Sequence, residues 1–267
     1  MSWIYDALHA INPLYSLSGF VVGGLVGFTG VGGGSLMTPL LVLVFGVAPA
    51  TAVGTDLLYA AITKSNGTLV HAMNGTIDWR VTRLLACGSV PATIATLTTL
   101  SWLGRSNGHA ANGLITSALG FALLLTAVAI LFRRLILDHI ARHTDRLSQR
   151  RIDGLTIVLG AFLGIIVSIS SVGAGAIGMT VLMALYSRLP TVRLVGSDIA
   201  HAVPLTLVAG LGYWMMGDVN WPLLVALLIG SLPGIAIGSH LAARVPDRYM
   251  RPAIATMMAV VGAKLSL

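Results

Sequence analysis

Hydrophobic positions run almost unbroken through this chain, and the polar positions that interrupt them are few and clustered. Six stretches, residues 51–73, 80–103, 111–132, 192–215, 221–243 and 250–267, are each apolar enough to predict a membrane-crossing helix, since a span takes about 20 apolar residues. Two further regions, 16–47 and 155–187, are apolar but cut by glycine-rich breaks, Gly30-Val31-Gly32-Gly33-Gly34 and Ser171-Val172-Gly173-Ala174-Gly175. Each break leaves arms of roughly 14–17 residues, less than a full span. Each of these regions is expected to form a helical hairpin.

The pattern occurs twice. Val53-Gly54-Thr55-Asp56 returns as Val195-Gly196-Ser197-Asp198, and Gly88-Ser89-Val90-Pro91 as Gly230-Ser231-Leu232-Pro233, both at an offset of 142. Gly75 and Trp79 match Gly217 and Trp221 at the same offset, and a one-residue gap aligns Val31-Gly32 and Gly34 with Val172-Gly173 and Gly175. Each repeat thus holds one broken hairpin and three single spans. A hairpin returns the chain to the side it left and three spans do not, so the halves are expected to have opposite topology, as in many secondary transporters. The expected fold is an all-α integral membrane protein of two inverted-topology repeats, each a glycine-broken helical hairpin plus three transmembrane helices. Its divisions are an outer N-terminal segment 1–15, repeat 1 over 16–133, a basic linker 134–153 and repeat 2 over 154–267.

Charge agrees with this plan. Hydrophobic residues make up 56% of the chain and charged ones 9%, too few charges to solvate a globular surface. The net charge of +7 would suit a nucleic-acid binder only with the basic groups on a soluble face, so no nucleic-acid partner is expected. Instead Arg80, Arg83, the arginines of 133–151, Arg188, Arg193, Arg244, Arg248 and Arg251 occupy alternate connections. The positive-inside rule puts those connections in the cytoplasm and both termini in the periplasm. Trp79, Trp102, Trp214 and Trp221 fall near span ends, as interfacial aromatics do. The N-terminus lacks a basic n-region, so no cleavable signal peptide is expected. The segment 134–153 predicts a basic amphipathic helix on the lipid surface. Cys87 is the single cysteine, which excludes a disulfide framework. Glycines at 19, 23 and 27 and at 230, 234 and 238 predict close helix packing within the protomer, with a homodimer seam as the alternative.

GFTGVGGGSLMTPLL, AVGTDLLYAAITKSNGT and GTIDWR, followed in the second half by SVGAGAIGMTVL and LVGSDIAHAVPLTLVAGLGYW, resemble the sulfite exporter TauE/SafE family of bacterial inner-membrane permeases. The resemblance spans about residues 16–245. It implies a carrier of sulfur-containing anions such as sulfite, thiosulfate or sulfonates, with export a common direction. Many family members have Ser where this chain has Asp56 and Asp198.

A broken membrane helix survives only inside protein or beside water, and a helix N-terminus offers free N–H donors and partial positive charge. Two such ends converging at mid-depth would hold an oxyanion with no metal or cofactor. The residues expected at that site are Gly32, Gly33, Gly34 and Ser35, with Gly173, Ala174 and Gly175 as their partners; a tight turn with close packing is the alternative reading. Lys64 lies near mid-span, where a charge is costly and normally faces a cavity or a partner. It would serve the anion or pair with Asp56 or Asp198. Those aspartates follow Gly-Thr and Gly-Ser pairs near a span's start, which suits N-capping or a proton carrier driven by the proton gradient. His201 lies one turn beyond Asp198 and would share its proton or bind the anion. Thr55, Ser197 and Asn66 are candidate neutral donors for coupling or gating, with helix–helix hydrogen bonding as the equal alternative. A divalent cation permease using Asp56, Asp198 and His201 is the rival function. Gly173-Ala174-Gly175-Ala176-Ile177-Gly178 fits a dinucleotide fingerprint in spelling alone, because that motif requires a soluble strand–turn–helix. No paired nucleophile and base indicates an enzyme.

Overall fold

The computed structural model describes residues 13–29, 34–106, 108–133, 148–242, 256 and 258–265. Among them the chain is helical throughout: α1 (Pro13–Thr29), α2 (Gly34–Leu43), α3 (Pro49–Met73), α4 (Trp79–Ser106), α5 (Gly108–Leu131), α6 (Gln149–Ser170), a π turn (Ala174–Gly178), α7 (Met179–Leu185), α8 (Thr191–Met216) and α9 (Trp221–Ala242). Residues 258–265 are helical as well. Helices α4, α5, α6 and α8 are long and apolar enough to cross a membrane. Helix α3 has 25 residues but is not among these, because Asp56, Lys64, Ser65, Asn66 and several threonines dilute its apolar content. Its first half is buried from Ala52 to Ala61, so protein rather than lipid surrounds that stretch.

Both predicted breaks fall between helices, but the arms are unequal. The first hairpin has arms of 17 and 10 residues, the second a full-length α6 of 22 and an α7 of only 7. The apolar run over 155–187 hides this, because the π turn consumes five residues without changing hydropathy. At the second break Ser171 takes φ 58° and Gly173 φ 105°, left-handed values that favour glycine. Residues 30–33 of the first break lie outside the described residues.

Matched positions make matched contacts. The hydroxyl of Thr55 accepts the Asn220 N–H at 3.1 Å, and that of Ser197 accepts the Asp78 N–H at 2.8 Å; Thr55 and Ser197, like Asp78 and Asn220, stand 142 apart. Gly54 lies against Tyr213 and the Asp218 carbonyl, Gly196 against His71 and the Thr76 carbonyl, again at that offset. These contacts join the start of α3 to the end of α8 and the start of α8 to the end of α3. The two helices therefore run antiparallel. Left-handed glycines end both, Gly75 after α3 and Gly217 after α8, where a residue without Cβ stops a helix cheaply.

The outer pairs follow suit. Helix α1 packs on α9 through Gly19 on Leu227 and Gly23 on Ser231, and α6 packs on α4 through Gly160 on Leu85 and Gly164 on Ser89. A Cβ at Gly23 would stand 2.6 Å from the Ser231 carbonyl oxygen, and one at Gly164 2.5 Å from that of Ser89. Gly230 and Gly88 complete the two seams against Ser16 and Ile157. Of the glycines predicted to mediate close packing, Gly19, Gly23, Gly230 and Gly234 thus do so inside the chain. Exposed Phe20, Ile94, Phe121, Val158, Phe162, Leu211 and Val225 form an apolar perimeter suited to lipid. Trp79, Trp102, Trp214 and Trp221 are all about half exposed or more, and Trp214 meets Trp221 edge-on at 5.8 Å between centroids.

Candidate functional site

Among the described residues, the buried aspartates and the buried histidine all lie on α3 and α8. Asp56 is fully buried. One carboxylate oxygen accepts the Thr38 hydroxyl of α2, and the other has no hydrogen-bond partner. The Ser171 hydroxyl, at the second break, is likewise buried without a hydrogen-bond partner. Asp56 therefore ties α3 to the arm after the first break.

Asp198 holds the matching place on α8 with a different surround. Position 179, which matches Thr38, is Met, so no hydroxyl reaches this carboxylate. Gly178 lies beside it instead, with an ideal Cβ 3.1 Å from Oδ1. That oxygen is buried without a partner. The glycine admits the carboxylate but offers it no side-chain donor.

Lys64 stands eight residues after Asp56 on α3, about 12 Å along the axis. It is half-buried and makes no direct ion pair among the described residues. Its charge reaches Asp198, Asp56 and His201. The contact of Gly67 with Ile199 sets Asp198 within about a turn of Lys64's level. The residue matching Lys64 is Thr206, whose hydroxyl is bound to the Ala202 carbonyl at 2.8 Å. One lysine thus serves two aspartates.

His201 is fully buried. Its Nε2 shares a hydrogen bond with the Ser89 hydroxyl at 2.8 Å, and its Nδ1 has no partner. The matching pair is Tyr59 and Ser231, where the tyrosine hydroxyl faces the serine from beyond hydrogen-bond distance.

The other expected site residues divide clearly. Gly32 and Gly33 lie outside the described residues. Gly34 opens α2 and Ser35 follows in its first turn; Gly173, Ala174 and Gly175 form the second turn. Thr55 and Ser197 are fully buried and hold interhelical loops; the Ser197 hydroxyl also donates to the Arg193 carbonyl at 2.7 Å. Asn66 is exposed, turned about 200° from Lys64, and stands apart from the cluster. Residues not expected were Thr38, Ser171, Tyr59 and Ser89. Ser89 and Ser231 stand in the repeated Gly-Ser-x-Pro, and Tyr59 matches His201 at the repeat offset, so the duplication itself carried the signal.

A separate cavity of about 340 Å³ opens where α4 and α6 begin, lined by residues including Asp78, Arg80, Gln149, Tyr186 and Arg188. Arg80 pairs with Asp153 across it at 2.7 Å. None of the cluster around Lys64 lines it.

The family model described as sulfite exporter TauE/SafE matches residues 15–265. The chain belongs to the TauE/SafE family. A probable membrane transporter protein of Bacillus subtilis, YjnA, is 39% identical over 93% of this chain and 97% of its own length. A second B. subtilis relative, YdhB, is 26% identical over 91% of this chain and 95% of its own. MJ0441 of Methanocaldococcus jannaschii, also a probable membrane transporter protein, is 26% identical over 94% and 93%. No solved structure matches. This TauE/SafE protein is a multi-pass membrane transporter.

Proposed function

We propose that this protein is a secondary transporter of the bacterial inner membrane that carries a small sulfur-containing oxyanion, such as sulfite, thiosulfate or a sulfonate, outward by alternating access. The observation that carries the reading is Lys64, half-buried on α3 about a turn from the level of Asp198 and just over two turns from Asp56, and in ion-pair contact with neither among the described residues. A half-buried cation with two competing carboxylates holds its charge available to a third anion. The start of α2 adds free N–H donors on the Asp56 side.

The reciprocal contacts at offsets of 142 and 141, with α3 and α8 antiparallel, support two repeats of inverted topology that rock about the cluster. Both termini then face the periplasm, and the cavity at Arg80 and Arg188 lies on the basic, cytoplasmic side, where it serves as a vestibule. An aspartate of the cluster couples the anion to protons. A divalent cation permease is not favoured, because a metal held by Asp56, Asp198 and His201 would have Lys64 as a positive neighbour.

Proteoliposomes loaded in turn with sulfite, thiosulfate and methanesulfonate test the substrate class. Efflux of at least one, with Ni²⁺ and Co²⁺ retained, is the expected result. Retention of all three anions, or passage of the metals, would overturn it.

A further inference from the structure

The two aspartates hold matched positions but unequal company, and the inequality bears on how protons accompany the solute. Asp56 has the Thr38 hydroxyl on one oxygen and Ser171 nearby. Asp198 accepts no hydrogen bond among the described residues: Gly178 is beside it, Leu163 of α6 lies against that same glycine, and the Ser89 hydroxyl of α4 is engaged by His201. The charged group about a turn from the level of Asp198 on the facing helix is Lys64 of α3, by the contact of Gly67 with Ile199. His201 lies one turn on along its own helix, and Asp56 acts on the same lysine from farther along α3. A buried carboxylate without donors is costly unless its charge is met, and here either Lys64 or a proton must meet it.

We propose that Asp198 carries the coupling proton and that proton and anion cross the membrane in the same direction. This rests on the reading of Lys64 as the anion's partner. When the anion takes Lys64, the Asp198 carboxylate loses its counter-charge. It then binds one proton, from hydronium on the side to which the site is open, leaving water behind. No other bond forms or breaks. Release reverses the sequence on the far side: the anion leaves, the proton returns to water, and Lys64 faces Asp198 again. Exchange of anion for proton would require the carboxylate to be protonated while Lys64 is free to neutralise it, which the single lysine disfavours. Efflux therefore follows the anion's own gradient with a proton in company, and an inward proton gradient opposes export instead of driving it. Asp56, held by Thr38, positions the α2 arm throughout the cycle.

The test uses the full chain in proteoliposomes loaded with thiosulfate or methanesulfonate, anions of strong acids that do not buffer near neutral pH. The membrane potential is clamped with K⁺ and valinomycin, and an enclosed dye reports internal pH. The expected result is internal alkalinisation that tracks efflux. In Asp198→Asn, efflux remains measurable while the alkalinisation is lost; in Asp56→Asn, any remaining efflux still alkalinises. Internal acidification during wild-type efflux, or alkalinisation that persists in Asp198→Asn, overturns the proposal while leaving the anion reading intact. Absence of efflux for both anions overturns both.

Discussion

The surroundings of Asp56 and Asp198 are two renderings of one design. Their scaffolds correspond residue for residue: Thr55 and Ser197 cap matched loops, Gly54 and Gly196 press on matched carbonyls, and Gly19/Gly23 and Gly160/Gly164 bring matched helix pairs together. The chemistry at the centre does not correspond. Thr38 faces Met179, Tyr59 faces His201, and Lys64 faces Thr206. Where backbone meets backbone, duplication has little freedom, because adding a single Cβ would overlap a carbonyl. Where side chains meet near α3 and α8, the copies have diverged, and a lone cation among paired acids is the outcome. A symmetric frame allows two equivalent conformations; an asymmetric centre gives solute and proton separate places in it.

The largest expected effect breaks the symmetry of the frame. Gly230→Val and Gly88→Val each force a side chain into the backbone of the facing helix, at Ser16 and Ile157. Each is expected to cost more than about 3 kcal/mol, at or above the upper end of ordinary overpacking. Both should abolish monodisperse protein on size-exclusion chromatography in detergent. Gly154→Ala, with nothing within 4 Å of the added carbon, should elute unchanged. If one seam tolerates valine and the other does not, the frames are less alike than their contacts indicate.

Thr38→Val sharpens the comparison at the centre. It strips Asp56 of its hydrogen bond and makes it resemble Asp198, at an expected cost of about 1–3 kcal/mol for the acceptor left unsatisfied. Thermal unfolding in detergent reads this as a lower Tm. An unchanged Tm would mean that Asp56 is already as unsupported as its counterpart.

The smallest effect concerns the loops. Thr76, after α3, is held by His71, whereas its match Asp218, after α8, is half-buried and burial pushes its carboxyl above the usual range. The folded state thus holds that proton more tightly than the unfolded chain, so stability is greatest below the ordinary carboxylate pKa and declines as pH rises through the elevated one. Asp218→Asn should raise the Tm at neutral pH and leave it unchanged in acid. A gain that persists in acid would have another cause.

Much of this organisation was legible in the residues. Hydropathy marked the helices, and Gly30–Gly34 and Ser171–Gly175 marked both breaks, because glycine clusters in apolar runs have few other uses. The repeat spelled out Asp56 with Asp198, and an intramembrane lysine is too costly to be incidental. Other features were not legible. Helix α7 is short because a π turn follows Gly173, and apolar residues carry no mark of that geometry. The loop contacts of Thr55 and Ser197 are another, because their partners are backbone N–H groups about 120–165 residues away, which side-chain patterns cannot show. Asn66 shares a helix with Lys64 but faces outward, and α3, buried over its first half, lacks the one-sided apolar stripe that would reveal its faces.

The central claim is that Lys64 holds the transported anion between the two repeats. Equilibrium binding of ³⁵S-thiosulfate to purified wild-type and Lys64→Met protein tests it most directly. Removing the cation from a desolvated charge contact should weaken binding about 30-fold or more, with Lys64→Met still eluting as the wild type does on size-exclusion chromatography. Equal affinity in the two proteins would place the anion elsewhere and contradict the account.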